Sequence, residues 1–581
     1  MGRSFGGGEK LGGRLANARA TDSRISWRVV SRLASRVAFA TLGCLVSAGI
    51  TGATGATGAT RAAGAAELPS VGLSSVRAQR FGRADLPNAN ALGSDFFGFA
   101  SVAGDFNGDG VDDLATGVPE SRGPAPFVNG CGQVVVRYGV RGRGLDRVSP
   151  PTVLGQFISG GAEAEDRFGR ALAACDFNGD GIADLAVGVP DEDRQLSTFN
   201  FPDAGVVSIY LGSTSGLAAT PSITVGQSTA TGLPESDMHF GEILACGHFD
   251  GDAFADLVVG VPDHAVGDLE QAGILRVFRG AGTALGLAPV PYRLDQDSAG
   301  IDDSANLQDR FGAALAVGDF DNDGLDDVAT SVPGENFGSF APAAVHILFG
   351  SAGGLGATGR NQLIAGPSEA QASSWGRRLA SGDFNDDDFD DLVIGVPEDD
   401  TPLSNTGAVY VLQHTEGVFD LATAQRLTAE EIFGGSASLP GEYFGDALAV
   451  GDFNGDRLED LAIGVPDESV EGIREGAVVV LLGEEGFGIY AGESPARQFE
   501  HGQEEIPRGD DIHAVRWGSA LTTGDFDGDG LADLAVGALS EDDGTVPIVG
   551  SVTALYSALF ADGFGNATLS PSYWSATAAA P

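Results

Sequence analysis

The chain has 581 residues, 88 of them glycine, and a formal net charge of −48. So acidic a surface repels the phosphates of nucleic acids and anionic lipids, which excludes both as partners. Four scattered cysteines are too few for a disulfide framework. Residues 1–66 read as a leader rather than as fold. Arg24, Arg28, Arg32 and Arg36 lead into a mostly apolar stretch, VAFATLGCLVSAGI at 37–50, and then into the low-complexity GATGATGAT at 52–60. Basic, then apolar, then small residues is the pattern of a secretory signal peptide. The apolar stretch is too short and too rich in Gly and Thr to span a bilayer. Thr41 does not suit a lipoprotein reading of Cys44. No later segment is apolar enough to cross a membrane, so the expected location is secreted, cell-surface or periplasmic.

Residues 67–565 repeat one grammar seven times, and 566–581 form a tail. Each unit opens on an aromatic–glycine pair: Phe97-Gly98, Phe168-Gly169, Phe240-Gly241, Phe311-Gly312, Trp375-Gly376, Phe444-Gly445 and Trp517-Gly518. A run of small apolar residues follows, such as ALAVG at 314–318. An acidic nine-residue loop comes next, then an apolar run ending in Gly-Val-Pro, as in DLAVGVP at 184–190. A third apolar run (GQVVVRYG, 132–139) and a weaker fourth (PTVLGQFI, 151–158; QRLTAEEI, 425–432) complete the unit. Short apolar runs punctuated by Gly and Pro read as strands, and no helical period is visible. Four antiparallel strands cannot cover both faces of their own sheet. Seven such sheets stacked around an axis can, so the expectation is all-β, a seven-bladed β-propeller. The last unit has a third strand at 550–558 and no convincing fourth. SVRAQRFG at 75–82 is spare, and is expected to complete that blade and remove an exposed edge.

The acidic loops begin 64 to 73 residues apart. Their oxygen side chains fall at positions 1, 3, 5 and 9, with position 7 able to offer its backbone carbonyl. The first loop supplies Asp105, Asn107, Asp109, Val111 and Asp113; the second Asp176, Asn178, Asp180, Ile182 and Asp184. The fourth supplies Asp319, Asp321, Asp323, Leu325 and Asp327; the fifth Asp383, Asn385, Asp387, Phe389 and Asp391. The sixth has Asp452, Asn454, Asp456, Leu458 and Asp460; the seventh Asp525, Asp527, Asp529, Leu531 and Asp533. Hard cations such as Ca²⁺ take six to eight oxygen ligands, so the expected cofactor is Ca²⁺, up to one ion per blade. The third loop offers Asp250, Asp252 and Asp256 but has His248 at position 1 and Ala253 at position 6, and weak or absent binding is expected there. Position 6 asks for positive φ, which glycine takes freely. Asp388 and Arg457 stand there in the fifth and sixth loops.

This ordered grammar resembles the FG-GAP repeat of integrin α-chain propellers and of many secreted bacterial proteins, over about residues 75–560. The resemblance implies a seven-bladed propeller whose loops bind Ca²⁺. It does not extend to integrin leg domains, nor to the zinc catalytic domain of phospholipases that carry such repeats. Strand order puts the long, variable loops at 120–130, 191–205, 295–310 and 501–516 on the face opposite the cation loops. Variable loops on a rigid scaffold commonly bind, and Phe127, Phe199, Phe201, Phe337 and Phe340 could give that face apolar contacts. The expected role is an extracellular binding or adhesion scaffold for protein or glycan. The alternative is a secreted polysaccharide lyase or hydrolase, although no carboxylate pair stands out as acid and base. Cys175 and Cys246 occupy near-equivalent places before loops 2 and 3. They read first as small buried residues, with a bridge between units as the alternative, and Cys131 is left over.

Overall fold

The computed structural model describes residues 72–82 and 95–558, apart from 123–127, 157–162, 197–198, 228–234, 283–285, 289–290, 302, 336–342, 358, 368–373, 401–402, 416–417, 434–439, 471–472, 475, 490–497, 503–515 and 541–548. The leader, the tail, Phe127, Phe337 and Phe340 lie outside the described residues.

Seven four-stranded antiparallel sheets make the blades. Their innermost strands are Ser101–Gly104, Leu172–Cys175, Ile243–Gly247, Leu315–Gly318, Arg378–Gly382, Ala447–Gly451 and Trp517–Gly524. Each packs against its counterpart in the next blade, and the last packs against the first, so the ring closes. Small side chains dominate these strands because they converge on the axis. The second strand of every blade, such as Asp184–Val189, is buried at all six positions. Covered on both faces, it reads as a continuous apolar run rather than an alternating one. Leu185, Val187 and Val189 of blade 2 pack on Ala115, Val134 and Val136 of blade 1. Each such side chain contributes roughly 1.5–3 kcal/mol when fully buried.

Two repeat signatures meet between blades. A Cβ built on Gly188 of one Gly-Val-Pro would stand 1.9 Å from the carbonyl oxygen of Gly241, the glycine of the next Phe-Gly pair. The same meeting recurs at Gly117–Gly169 (2.0 Å) and Gly464–Gly518 (2.1 Å). The aromatic of each pair wedges the joint: Phe168, Phe311, Trp375, Phe444 and Trp517 are fully buried. Its amide reaches the preceding blade, as in Phe168 N–H to Cys131 O at 3.1 Å and Phe97 N–H to Val549 O at 2.9 Å.

The N-terminal strand Gly72–Gly82 pairs antiparallel with Ser551–Ala558, from Gly72 opposite Ala558 to Gly82 opposite Ser551. It supplies the missing fourth strand of blade 7, and Tyr556 Oη donates to Gln79 Oε1 at 2.7 Å across the seam. The fourth strands are shorter than the sequence suggests. QRLTAEEI divides into the strand Gln425–Leu427 and the short helix Ala429–Phe433. Thr428 caps that helix: its Oγ1 accepts the Glu431 amide and donates to Glu431 Oε2. Thr-x-x-Glu is the sequence signal of a helix start that strand periodicity overlooks, although Glu431 here accepts from the Thr428 hydroxyl rather than from its backbone amide.

Candidate metal centres

Each acidic loop joins the first strand of a blade to its second, and position 9 is the first residue of the second strand. There Asp113, Asp184, Asp256, Asp327, Asp391, Asp460 and Asp533 are completely buried. One oxygen of each accepts a backbone amide from the end of the third strand: Gly139, Gly212, Gly280, Gly350, His414, Gly483 or Ser557, at 2.7–3.0 Å. The other oxygen accepts the position-2 amide in five loops, from Phe106, Phe177, Phe320, Phe453 and Phe526. The carboxylate therefore ties loop, second strand and third strand together.

Position 1 shapes the turn. Asp105 accepts the amides of Asp109 and Gly110, and Asp176, Asp319, Asp383 and Asp525 repeat the pattern. Asp452 accepts from Gly455 and Arg457 instead. Position 6 is left-handed in all six of these loops: Gly110, Gly181, Gly324 and Gly530, but also Asp388 at φ 70° and Arg457 at φ 79°. The carboxylate at position 5 accepts the position-7 amide in every loop: Val111, Ile182, Phe254, Leu325, Phe389, Leu458 and Leu531.

Positions 1, 3 and 9 converge. Asp319, Asp321 and Asp327 each bring an oxygen within 4.8 Å of the others, as do Asp525, Asp527 and Asp533. In loops 1, 2, 5 and 6 position 3 is Asn107, Asn178, Asn385 or Asn454, and its amide Nδ2 reaches the position-9 carboxylate at 3.3–3.4 Å. A half-turn of that amide would exchange the donor for its carbonyl oxygen. Asp321 Oδ1 and Asn385 Oδ1 are buried with no hydrogen-bond partner. These are the same position in neighbouring blades, and in Asp321 it is only the other oxygen, Oδ2, that meets Arg360 Nη2, at 2.6 Å. Burial foremost pushes the position-9 carboxyls up, to about 8 for Asp113, Asp327, Asp391, Asp460 and Asp533 and about 7 for Asp184 and Asp256. The amide donors oppose this, and the other carboxylates of each loop add to it. All-oxygen donors and clustered negative charge fit a hard divalent cation in six loops, and the orphaned acceptors at position 3 add to that fit in the fourth and fifth.

Loop 3 differs in more than its sequence. Ala253 stays outside the left-handed region that position 6 occupies elsewhere. Asp256 keeps its buried place with Oδ2 left without a hydrogen-bond partner, and Asp250 Oδ2 lies 3.0 Å from Arg279 Nη1.

The loops are also joined to one another. The position-8 amide of each loop donates to the position-1 carbonyl of the loop before it: Ala183 to Asp105, Ala255 to Asp176, Asp326 to His248, Asp390 to Asp319, Glu459 to Asp383, Ala532 to Asp452 and Asp112 to Asp525. Where position 8 is acidic, its side chain returns the contact. Asp326, Asp390, Glu459 and Asp112 accept the position-1 amides of His248, Asp319, Asp383 and Asp525 at 2.7–2.9 Å. Single-loop reasoning gives no sign of this, because the partner belongs to another repeat.

Cys175 and Cys246 form a disulfide between blades 2 and 3, with Cα atoms 6.3 Å apart, so the bridge rather than the pair of buried thiols is what the structure contains. Cys131 is buried and takes no part in the bridge, its thiol directed at the carbonyls of Ser121 and Gly132 at 3.9 Å. On the opposite face His239 lies 3.4 Å from both Asp191 and Asp263. With Glu242 it forms a ligand-like cluster. Arg167 pairs with Asp191 and Glu120, Arg310 with Asp263 and Arg170 with Glu242, so a guanidinium already balances every carboxylate there. Phe199 sits 66 % exposed on the hairpin formed by Arg194–Leu196 and Phe199–Phe201, and Phe201 is half-buried.

The FG-GAP repeat family profile matches residues 97–136, 168–210, 311–348, 375–412, 444–481 and 517–552, that is blades 1, 2 and 4 to 7. Phosphatidylinositol-glycan-specific phospholipase D of Mus musculus is 35% identical over 185 residues, 31% of this chain and 20% of that protein. Integrin alpha-5 of Xenopus laevis is 31% identical over 241 residues, 40% of this chain and 20% of its own length. Integrin alpha-PS2 of Drosophila melanogaster is 32% identical over 253 residues, 42% of this chain and 16% of its own length. The matched region thus spans a fifth or less of each of these relatives. No helix among the described residues is long and apolar enough to cross a membrane. With its repeats matched in six blades and its sheets closed into a ring of seven, the chain is an FG-GAP repeat β-propeller of the integrin-α-like kind.

Proposed function

We propose that this chain is a secreted, calcium-stabilised propeller that serves outside the cell as a binding or adhesion scaffold for a protein or glycan. The observation that carries the calcium reading is the recurrence of one oxygen set in six loops, each with a buried carboxyl at position 9. Calcium would be held by the side chains at positions 1, 3, 5 and 9, and would supply the counter-charge that crowded carboxylates lack. Secretion is supported by the signal pattern at 37–50 and by the Cys175–Cys246 bridge, since such bridges persist in oxidising compartments. The binding role rests on the loops opposite the cation loops and on the likeness to integrin α chains. The likeness to phosphatidylinositol-glycan-specific phospholipase D covers this same propeller region and supports the scaffold rather than a particular chemistry.

Chelation is expected to lower the melting temperature by more than about 10 °C, as loss of several bound ions would. Calorimetric titration with Ca²⁺ should count about six ions, from the six loops whose oxygens fit. Asp180→Ala should remove one of them and His248→Ala none. Equal melting with and without chelator would defeat the calcium reading. Capture of a defined protein or glycan by the calcium-loaded chain, lost on chelation, would support the scaffold role. Product release from a glycan panel that a single carboxylate substitution abolishes would favour a polysaccharide-degrading enzyme instead.

A further inference from the structure

Blade 3 is the blade whose loop lacks a carboxylate at position 1. It is also the blade that carries an arginine immediately before the third-strand glycine whose amide binds position 9. Tyr138, Leu211, Arg279, Phe349, Gln413, Leu482 and Tyr556 stand at that place in blades 1 to 7. Arg279 Nη1 lies 3.0 Å from Asp250 Oδ2, and the Asp250 side chain is 5% exposed. The other oxygen of Asp250 accepts the Asp252 amide at 3.1 Å. The guanidinium is fixed from two further sides. Nη2 donates to Gly353 O of blade 4 at 3.0 Å, and the group lies over the Tyr292 ring, 5.7 Å from its centroid. Arg360 also touches a loop carboxylate, Asp321, but its side chain is 58% exposed and loop 4 keeps its full set of oxygens.

We propose that Arg279 is the resident cation of blade 3: its guanidinium supplies the positive charge that a metal would supply elsewhere, so this loop holds its shape without an ion and takes none up. The geometry gives the reason. A guanidinium in hydrogen-bonded contact neutralises one nearly buried carboxylate with directed donors. Loop 3 has no acid at position 1 and no left-handed position 6, the two features that shape the turn in the other six loops. Loop 3 is held on both sides by bonds that chelation leaves intact. The Cys175–Cys246 bridge ties it to blade 2, and Arg279 ties it to the Gly353 carbonyl of blade 4. Blades 2 to 4 would then form an ion-independent arc in a ring whose remaining loops need ions.

This inference rests on the calcium reading of the six other loops, and hydrogen exchange of the full chain in calcium and in chelator separates the two. In chelator the amides of Val111, Leu458 and Leu531 are expected to exchange at least about tenfold faster, while Phe254 in loop 3 changes by less than about threefold. If Phe254 accelerates with the others, Arg279 is not the cation of blade 3 and the calcium reading stands. If no loop responds to chelator, the calcium reading falls and the inference falls with it. In R279M, Phe254 is expected to exchange about tenfold faster with calcium present as well as absent. An unchanged rate in R279M would overturn the proposal even if the wild-type pattern held. A seventh calcium bound by the wild-type chain at loop 3 would overturn it too.

Discussion

Asp166 illustrates how much one side chain's setting matters here. It is almost wholly buried, and its Oδ2 accepts the Glu163 amide at 2.6 Å. Burial foremost pushes its carboxyl up to about 7, with Glu192, Glu163 and Asp193 adding to the shift and the Glu163 amide opposing it. The folded state therefore holds a proton that the unfolded chain gives up near the ordinary value of 3.8. Its contribution to stability is complete below that ordinary value and is lost as pH rises towards about 7. Asp166→Asn keeps the acceptor and removes the titration. The gain of D166N over wild type in urea midpoint should grow between pH 4 and 7, and a constant difference across that window would refute the assignment. Residue-scale chemistry was the most legible layer of the sequence. Oxygens at positions 1, 3, 5 and 9 can be read from spacing alone. The amides that hold position 9 cannot, because Gly139 or Gly212 lies a whole strand pair downstream. Arg279 escapes such a reading for the same reason, whereas the place of Arg457 at the left-handed position 6 was readable from spacing. That arginine occupies φ 79°, although a left-handed non-glycine residue costs about 1 kcal/mol.

At the scale of the element, the joint between blades is a contact of backbone on backbone. Gly464 and Gly518 meet so closely that a methyl group on Gly464 would stand 2.1 Å from the Gly518 carbonyl oxygen. Neither partner is a flexible side chain, so a sheet would have to shift. Gly464→Ala should cost about 3 kcal/mol or more in denaturant unfolding, at the upper end of overpacking effects. A loss below about 1 kcal/mol would mean that the blades slide apart readily. Ser331 stands where other blades have this glycine, and it meets Gly376 of the Trp375-Gly376 opening. The strand pattern of each repeat was readable because burial on both faces leaves a continuous apolar signature. The disulfide was only half readable. Sequence places Cys175 and Cys246 at near-equivalent positions, but only the packing of neighbouring innermost strands brings them within bonding distance. The helix at Ala429–Phe433 was hidden because five residues are too short to show a period.

For the whole molecule, closure depends on Gly72–Gly82, which comes from the opposite end of the chain to the rest of its blade. Deleting residues 72–82 leaves the strand Ser551–Ala558 with an unpaired edge, a template for pairing with another chain. The shortened chain should form concentration-dependent oligomers by light scattering and melt at lower temperature; a monomer of unchanged melting temperature would show that the ring does not rely on this strand. That closure was foreseeable, because the last repeat is one strand short and the first is preceded by one strand too many. The hydrogen bonds from position 8 to position 1 around all seven loops were not, since each joins residues of different repeats.

Antiparallel pairing sets Gly72 beside Ala558, so the chain enters and leaves this ladder at the same corner. Tension applied between the segments flanking those two residues would act as on a zipper, parting one pair at a time from that corner towards Gly82 and Ser551. The ring would thus yield to a modest pull in that single direction.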